Sequence, residues 1–193
     1  MQNEDTRFVK TELSIQKAFM NLMEKEGFSQ INVTKIITEA QINRSTFYSH
    51  YMDKYDLLDH IEAEVFKGLK NIEDASAKTV IKQFFDEDFF NLHFKYLIDF
   101  LKNNGAVIGL LVSDKGDPAF TNKLNRTLKE IWSENKMADK LTIPQCYLSA
   151  ALVGLMTNLI VEWVHNDFRE SPEEFAEITQ SLIKDIPKNI LAQ

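Results

Sequence analysis

Cysteine, glycine and proline are all scarce in this sequence. The single Cys146 excludes an intramolecular disulfide, and its place in an apolar run favours a buried, inert thiol. Six Gly and four Pro in 193 residues leave few positions at which a helix would be broken. The long periodic apolar patterns between these positions therefore predict an all-α protein.

Positive charge is also in short supply. The chain has 22 Lys and Arg against 29 Asp and Glu, a formal net charge of −7. Such a protein does not coat a polyanion through net charge, so any contact with nucleic acid must come from a few well-placed cations. Between residues 30 and 54 cations outnumber anions, three to two, and this segment is therefore the candidate for such a contact.

Long apolar runs and catalytic signatures are absent as well. The longest apolar stretch, residues 148–161, is shorter than the ~20 residues that cross a bilayer, and the first residues lack the features of a signal peptide. There is no P-loop, Gly-rich dinucleotide turn, His-Glu-x-x-His helix or Gly-x-Ser-x-Gly elbow. We therefore expect a cytoplasmic protein that contacts no membrane, is not an enzyme and uses neither a cofactor nor a metal.

Hydrophobic periodicity divides the chain into helices. Helices are predicted over residues 6–26, 33–40, 44–51, 54–73, 79–103, 106–112, 118–136, 143–168 and 172–192. The apolar face of the first consists of Ile15, Phe19, Leu22 and Met23. Side chains suited to cap helix N-termini are Asn32, Asn43, Asp53 and Ser171.

Two short helices separated by a tight turn are the most informative part of the sequence. Residues 33–40 precede a turn at 41–43, and a polar, aromatic helical segment follows. A helix-turn-helix has this arrangement, in which the second helix presents its N-terminal residues to base edges in the DNA major groove. Arg44 would then reach guanine O6 and N7, and Phe47 would pack inward. The alternative is a solvated helical hairpin in which Arg44 and Lys54 only keep the surface soluble.

The stretch from Ile31 to Leu58 resembles the DNA-binding domain of the TetR family of bacterial transcription regulators. The likeness lies in a helix that ends at Ala40, a tight turn, and then Arg-Ser-Thr-Phe-Tyr, His-Tyr and Asp-Lys-Tyr-Asp-Leu-Leu. The resemblance implies that DNA is contacted by Thr34, Lys35, Arg44, Ser45, Thr46, Tyr48, His50 and Lys54. The polar tips of Tyr48, His50 and Lys54 would lie at phosphates, where they set register without reading sequence.

Two positions depart from the family pattern. Gly commonly stands where this chain has Gln41, and if the turn requires a positive φ, Gln costs about 1 kcal/mol there. Ala is common where Ile37 stands, so packing between the second and third helices is expected to differ. Neither change removes a group that faces DNA.

The second half of the chain resembles the family more weakly. Residues 110–120 are similar to the C-terminal domain of regulators of the dihydroxyacetone-kinase type. The resemblance implies a helix-turn-helix domain of three helices over residues 1–53, a connecting helix over 54–73, and a helical effector-binding and dimerisation domain over 74–193.

Aromatic side chains crowd residues 84–100. They predict a pocket for a small apolar or aromatic effector, although aromatic residues at helical spacing also form ordinary core. The candidate lining residues are Phe85, Phe89, His93, Leu97, Leu111, Phe120, Trp132 and Tyr147.

The last two predicted helices are apolar on more than one face. In the family these helices pair with those of a second copy, and a homodimer would place two recognition helices about 34–36 Å apart, in successive major grooves. The alternative is that residues 143–168 form the central helix of a monomer. The expected interface residues are Leu152, Met156, Leu159, Trp163, Phe175, Ile178 and Leu182.

The sequence therefore predicts a DNA-binding transcriptional regulator. We expect a repressor that binds a near-palindromic operator as a homodimer and is released or modulated by a small effector. The alternative is a co-regulator of the same fold that responds to a partner protein instead of a small molecule.

Overall fold

The computed structural model describes residues 2–77, 87–134 and 141–183. Across these ranges the chain forms eight α-helices and one 3-10 turn, with no extended β-strand, which confirms the expected all-α class. The helices are α1 (Gln2–Glu26), α2 (Val33–Ala40), α3 (Arg44–Tyr48), α4 (Lys54–Ala77), α5 (Glu87–Val112), α6 (Phe120–Glu134), α7 (Gln145–His165) and α8 (Pro172–Ile183). The 3-10 turn (Phe28–Gln30) follows α1.

The chain divides into two compact units. The first consists of Met1–Val65 and Leu110–Phe120, and the second of Phe66–Gly109 and Thr121–Gln193. The boundaries fall inside α4 and α5, so that the loop between α5 and α6 belongs to the same unit as α1, α2 and α3.

The core of the first unit is built from the face predicted for α1. Ile15, Phe19 and Met23 are completely buried, and Phe47 and Leu57 join them from α3 and α4. Burying one such side chain contributes about 1.5–3 kcal/mol. The short helix α2 is therefore fixed by packing against α1, and α3 by packing against α2, since helices of this length are not stable alone.

The loop between α5 and α6 completes the end of α1. Gly27 ends the helix with a φ of 81°, a conformation that suits glycine. The next amide, of Phe28, donates to the carbonyl of Lys115 at 2.8 Å, and Lys115 Nζ donates to the carbonyl of Glu24. Gly116 is required in this loop, because a Cβ there would lie 2.2 Å from the carbonyl oxygen of Leu111.

Helix α5 runs without a break through residues 103–106, so the expected separate helices over 79–103 and 106–112 are wrong in this region. The side-chain amides of Asn103 and Asn104 donate to carbonyls four residues earlier, at 2.7 and 3.0 Å. Gly105 lies between helical neighbours, where a glycine costs about 1 kcal/mol without ending a helix.

In the second unit, Trp163 of α7 packs against α8 and binds the segment between the two helices. Its ring stacks on Phe175 with centroids 4.5 Å apart, and its Nε1 donates to the carbonyl of Glu170 at 2.9 Å. Trp163 and Phe175 are each 5% exposed, and Leu152 is 8% exposed. These three expected interface residues therefore belong to the core of the subunit.

Helix α7 itself is long and apolar enough, by length and composition alone, to cross a membrane. Soluble core helices pass the same test, and 39% of its most apolar window is buried within the subunit. In its first turn Cys146 is exposed, which corrects the expectation of a buried thiol.

Candidate nucleic-acid interface

Asparagine side chains start both helices of the helix-turn-helix, as predicted. Asn32 Oδ1 accepts from the Lys35 amide at 3.0 Å. Asn43 Oδ1 accepts from the Thr46 amide at 2.7 Å, and also from the hydroxyls of Ser45 at 2.7 Å and Thr46 at 2.8 Å. The first turn of α3 is therefore held by one side-chain oxygen.

The turn between α2 and α3 has the strained geometry anticipated for Gln41. This residue adopts φ 54° and ψ 42°, in the left-handed region. The amide of Ile42 then donates to the carbonyl of Ile37 at 3.1 Å, as in the usual closure of a helix C-terminus. A glutamine in this conformation costs about 1 kcal/mol relative to glycine.

Helix α3 exposes its polar side chains and buries Phe47. Arg44, Ser45 and Tyr48 are exposed, while Thr46 is half-buried. Arg44 Nη2 donates to the Tyr48 hydroxyl at 3.2 Å, and the guanidinium carbon lies 5.4 Å from the Tyr48 ring centre. Since the Tyr48 oxygen accepts from Arg44, its own proton stays available for another acceptor.

Two of the expected DNA contacts, Lys35 and Lys54, direct their ammonium groups at the protein. Lys35 Nζ lies 2.6 Å from Glu26 Oε2 and donates to the carbonyl of Gln30 at 3.0 Å. Lys54 Nζ donates to the carbonyls of Ile31 at 2.8 Å and Phe28 at 3.1 Å, and lies 4.6 Å from the Phe28 ring centre. Both cations thus hold the 3-10 turn against the helices around it.

The remaining expected contacts differ in exposure. Thr34 is exposed in the first turn of α2. His50 is half-buried and stacks on Phe8 with centroids 3.9 Å apart, and its Nδ1 is buried without a hydrogen-bond partner in the described part of the chain.

Two amides in the first turn of α4 are not free to bind phosphate. Those of Tyr55 and Asp56 donate to Asp53 Oδ1 at 2.8 and 2.9 Å. Asp56 Oδ2 in turn accepts from the amide of Met52 at 2.7 Å. The two carboxylates therefore occupy donors that would otherwise face an anion.

A buried network behind α3 was missed by sequence reasoning. Tyr51 is 2% exposed, and its hydroxyl donates to Glu12 Oε1 at 3.3 Å while accepting from Gln16 Nε2 at 3.2 Å. Burial raises the pKa of Tyr51 to about 12. One feature of the sequence could have indicated this network. Glu12 and Gln16 are one helical turn apart and lie beside the apolar face of α1, so both side chains can reach the same partner.

The expected aromatic effector pocket is only partly within the described residues. Phe85 and the side chains of Phe89, His93 and Trp132 lie outside them. Leu97, Leu111 and Phe120 are buried, with 7%, 0% and 0% of their surface exposed. Leu97 belongs to the second compact unit, whereas Leu111 and Phe120 belong to the first. Tyr147 is 68% exposed, so the subunit alone does not enclose this side chain in a pocket.

Two open grooves cross the second unit. One, of about 660 Å³, lies between α6 and α7 and is lined by Asn122, Asn125, Arg126, Lys129, Glu130, Ala150 and Gly154. The other, of about 370 Å³, lies between α5 and α8 and is lined by Lys95, Ile98, Asp99, Lys102, Glu173, Ala176, Glu177 and Gln180. Both are more polar than the expected pocket.

Two family models match the chain. Residues 15–61 match the model described as bacterial regulatory proteins, tetR family, and residues 88–185 match the model described as a transcriptional regulator C-terminal region. The first match contains the whole helix-turn-helix, and the second spans half of the chain.

Two curated relatives match part of the chain. The HTH-type transcriptional regulator YxbF of Bacillus subtilis (strain 168) is 40% identical over 55 residues, which cover 28% of this chain and 14% of YxbF. The dhaKLM operon transcriptional activator DhaS of Lactococcus lactis subsp. lactis (strain IL1403) is 38% identical over 61 residues, 32% of this chain and 33% of DhaS. Each match thus spans a third or less of the relative's length.

Solved structures match nearly the full length. A TetR-family transcriptional regulator from Syntrophomonas wolfei superposes with a TM-score of 0.75 at 16% identity, covering 92% of this chain and 94% of that one. The dihydroxyacetone kinase operon activator DhaS superposes with a TM-score of 0.60 at 18% identity, covering 95% and 99%. At these identities the likeness establishes the fold alone.

Proposed function

Because this chain belongs to the TetR family of bacterial transcription regulators, we propose that it represses transcription by binding a near-palindromic operator as a homodimer. Its family and fold are those of DNA-binding regulators and not of enzymes. The observation that carries the proposal is the exposed polar face of α3, where Arg44, Ser45 and Tyr48 face solvent on a helix anchored by Phe47.

The proposed contacts follow from the groups that remain available. Arg44 has guanidinium donors beyond the one given to Tyr48, and two parallel donors suit guanine O6 and N7. Tyr48 and Thr34 are exposed, and their hydroxyls suit phosphate oxygens. We assign the half-buried His50 to a phosphate contact as well. We assign Lys35 and Lys54 an indirect role, since their ammonium groups hold the 3-10 turn in place.

Exposed apolar side chains on α7 and α8 support the homodimer. Ile178 is 45% and Leu182 53% exposed, one turn apart on α8, and Tyr147 is exposed on α7. Met156 and Leu159 are half-buried. An apolar surface of this kind is stabilised by burial against a second copy, because water is then excluded from both.

A small effector in the C-terminal part is the second element of the proposal. We place the effector in the open groove of about 660 Å³ between α6 and α7, where Asn125, Arg126 and Lys129 offer polar contacts. Helix α4 is continuous from Lys54 to Ala77 and would carry a shift between the proposed domains, residues 1–53 and 74–193. The effector releases DNA only if it binds the DNA-free conformation more tightly. We place this cycle in the cytoplasm.

The proposal is tested by selecting bound duplexes from a random pool, followed by a transcription assay on the selected site. We expect two inverted half-sites, two chains per duplex, and lower transcription when the protein is present. The absence of any enriched sequence would contradict DNA reading, and enrichment of a single half-site by one chain would contradict the dimer. Higher transcription in the presence of the protein would show that it is an activator and not a repressor. Activation is the role that the name of DhaS gives that protein.

A further inference from the structure

A single amide oxygen fixes the direction of the hydrogen bonds at the start of α3. The backbone N–H of Thr46 can only donate, so its partner 2.7 Å away in the Asn43 side chain must be the oxygen and not the amide nitrogen. That oxygen carries no proton. The Ser45 and Thr46 hydroxyls, at 2.7 and 2.8 Å from the same atom, must therefore both act as donors.

This arrangement leaves the two hydroxyls with acceptor character only. A hydroxyl has one proton and two lone pairs, and here each proton is directed at Asn43. Ser45 is exposed, so the group that it offers to a ligand is a lone pair. Its neighbour Arg44 offers only N–H donors. The first turn of α3 therefore has a fixed order of hydrogen-bonding groups, donor and then acceptor.

We propose that Ser45 is a specificity-determining residue that selects a base carrying an exocyclic amino group, adenine or cytosine. This inference rests on the proposed function, in which α3 enters the major groove. There, adenine N6 and cytosine N4 are donors, whereas guanine O6 and thymine O4 are acceptors that would face another acceptor. A serine ordinarily serves either kind of base because its proton is free. Asn43 removes that freedom.

The test uses the duplex selected from the random pool. At each adenine or cytosine of a half-site, the base is replaced by an analogue without the exocyclic amino group, purine for adenine and pyrimidin-2-one for cytosine. We expect one position at which wild-type affinity falls about tenfold, a loss typical of one base contact. Ser45→Ala should be insensitive to that replacement and should keep its discrimination at the Arg44 position.

Two further variants isolate the role of the cap. Asn43→Gly removes the accepting oxygen at little cost to the helix N-terminus and should let guanine or thymine replace the selected base. Ser181→Ala is the matched control, because Ser181 is also an exposed helical serine whose hydroxyl donates internally, to the carbonyl of Ile178 at 2.7 Å.

The outcomes separate the inference from the function on which it rests. A Ser45-dependent preference for guanine or thymine, or equal sensitivity of wild type and Ser45→Ala to every analogue, would overturn the inference while leaving operator binding intact. Failure to select any duplex would remove the proposed function as well.

Discussion

Arg44 is the side chain that we propose reads a base most directly. It is exposed and its bond to Tyr48 is within one helical turn, so Arg44→Ala should leave the fold intact. We expect a loss of about 1–3 kcal/mol in operator binding, confined to one base pair of each half-site. Fluorescence anisotropy with the selected duplex and its single-base variants measures this, and unchanged affinity would show that α3 is not the reading helix.

Lys54 should behave differently, because its ammonium group is bound to carbonyls of the 3-10 turn. Lys54→Ala should lower the free energy of unfolding by about 1–3 kcal/mol, the usual range for the loss of hydrogen bonds from a charged group. Urea denaturation tests this expectation. A variant with wild-type stability but uniformly weaker binding to all duplexes, and a smaller salt dependence, would instead identify a direct phosphate contact.

Tyr51 makes the first unit sensitive to alkali. Its pKa is about 12 when folded and near 10 when unfolded, so the stabilisation is complete below pH 10 and is lost as the pH rises to 12. Two pKa units correspond to at most about 3 kcal/mol. Tyr51→Phe should be less stable at neutral pH and should flatten the fall in stability above pH 10, as followed by urea denaturation. An unchanged slope would contradict this assignment.

Residue contacts were predictable from the sequence when both partners were close along the chain. Asn32 and Asn43 each bond an amide three residues later, and a local pattern is enough to find them. The partners of Lys54 and Tyr51 lie 23 and 39 residues away, so only the folded chain reveals them.

The loop between α5 and α6 is constrained by backbone packing at Gly116. A Cβ on Gly116 would meet two carbonyl oxygens at 2.2 and 2.7 Å, and backbone cannot move aside as a flexible side chain can. Gly116→Ala should therefore cost about 1–3 kcal/mol of stability. Thermal unfolding measures the change.

Gly154→Ala supplies the matched control for that substitution. Nothing lies within 4 Å of a Cβ at this position in α7, and alanine is favoured over glycine inside a helix by about 1 kcal/mol. Gly154→Ala should raise the melting temperature while Gly116→Ala lowers it. Equal effects of the two substitutions would mean that the loop does not pack as described.

Element boundaries were predictable where capping residues mark them. Helix α2 begins and ends at the predicted residues, because Asn32 caps one end and the left-handed Gln41 closes the other. The predicted break in α5 is wrong, because Asn103, Asn104 and Gly105 continue the helix. Inside a long helix the two asparagines bond their own backbone instead.

The proposed homodimer depends on the exposed residues of α8. Introducing charge at both exposed positions, Ile178→Glu with Leu182→Glu, would require the burial of two carboxylates in the interface. We expect a folded monomer with unchanged helical content and operator affinity reduced at least about a hundredfold, since most of the gain from binding two half-sites is lost. Sedimentation measures the association state, and Glu177→Gln on the same helix is the control. A dimer that persists in the double variant would place the interface elsewhere.

The sequence could not separate interface from core in these helices. Helix α7 is apolar around most of its circumference, so its pattern does not distinguish a face against α8 from a face toward a second copy. Trp163 and Phe175 were therefore assigned to the interface although they stack inside the subunit. Exposure, known only from the folded chain, identifies Ile178 and Leu182 as available.

Hydroxyl-radical footprinting of the selected operator shows whether a paired protein reads DNA through α3. We expect two symmetric protected patches whose centres lie about 34–36 Å apart along one face of the duplex. Both patches should weaken together in Arg44→Ala and disappear in the double variant of α8. A single patch, protection with a different spacing, or a footprint unaffected by Arg44→Ala would contradict a paired protein that reads DNA through α3.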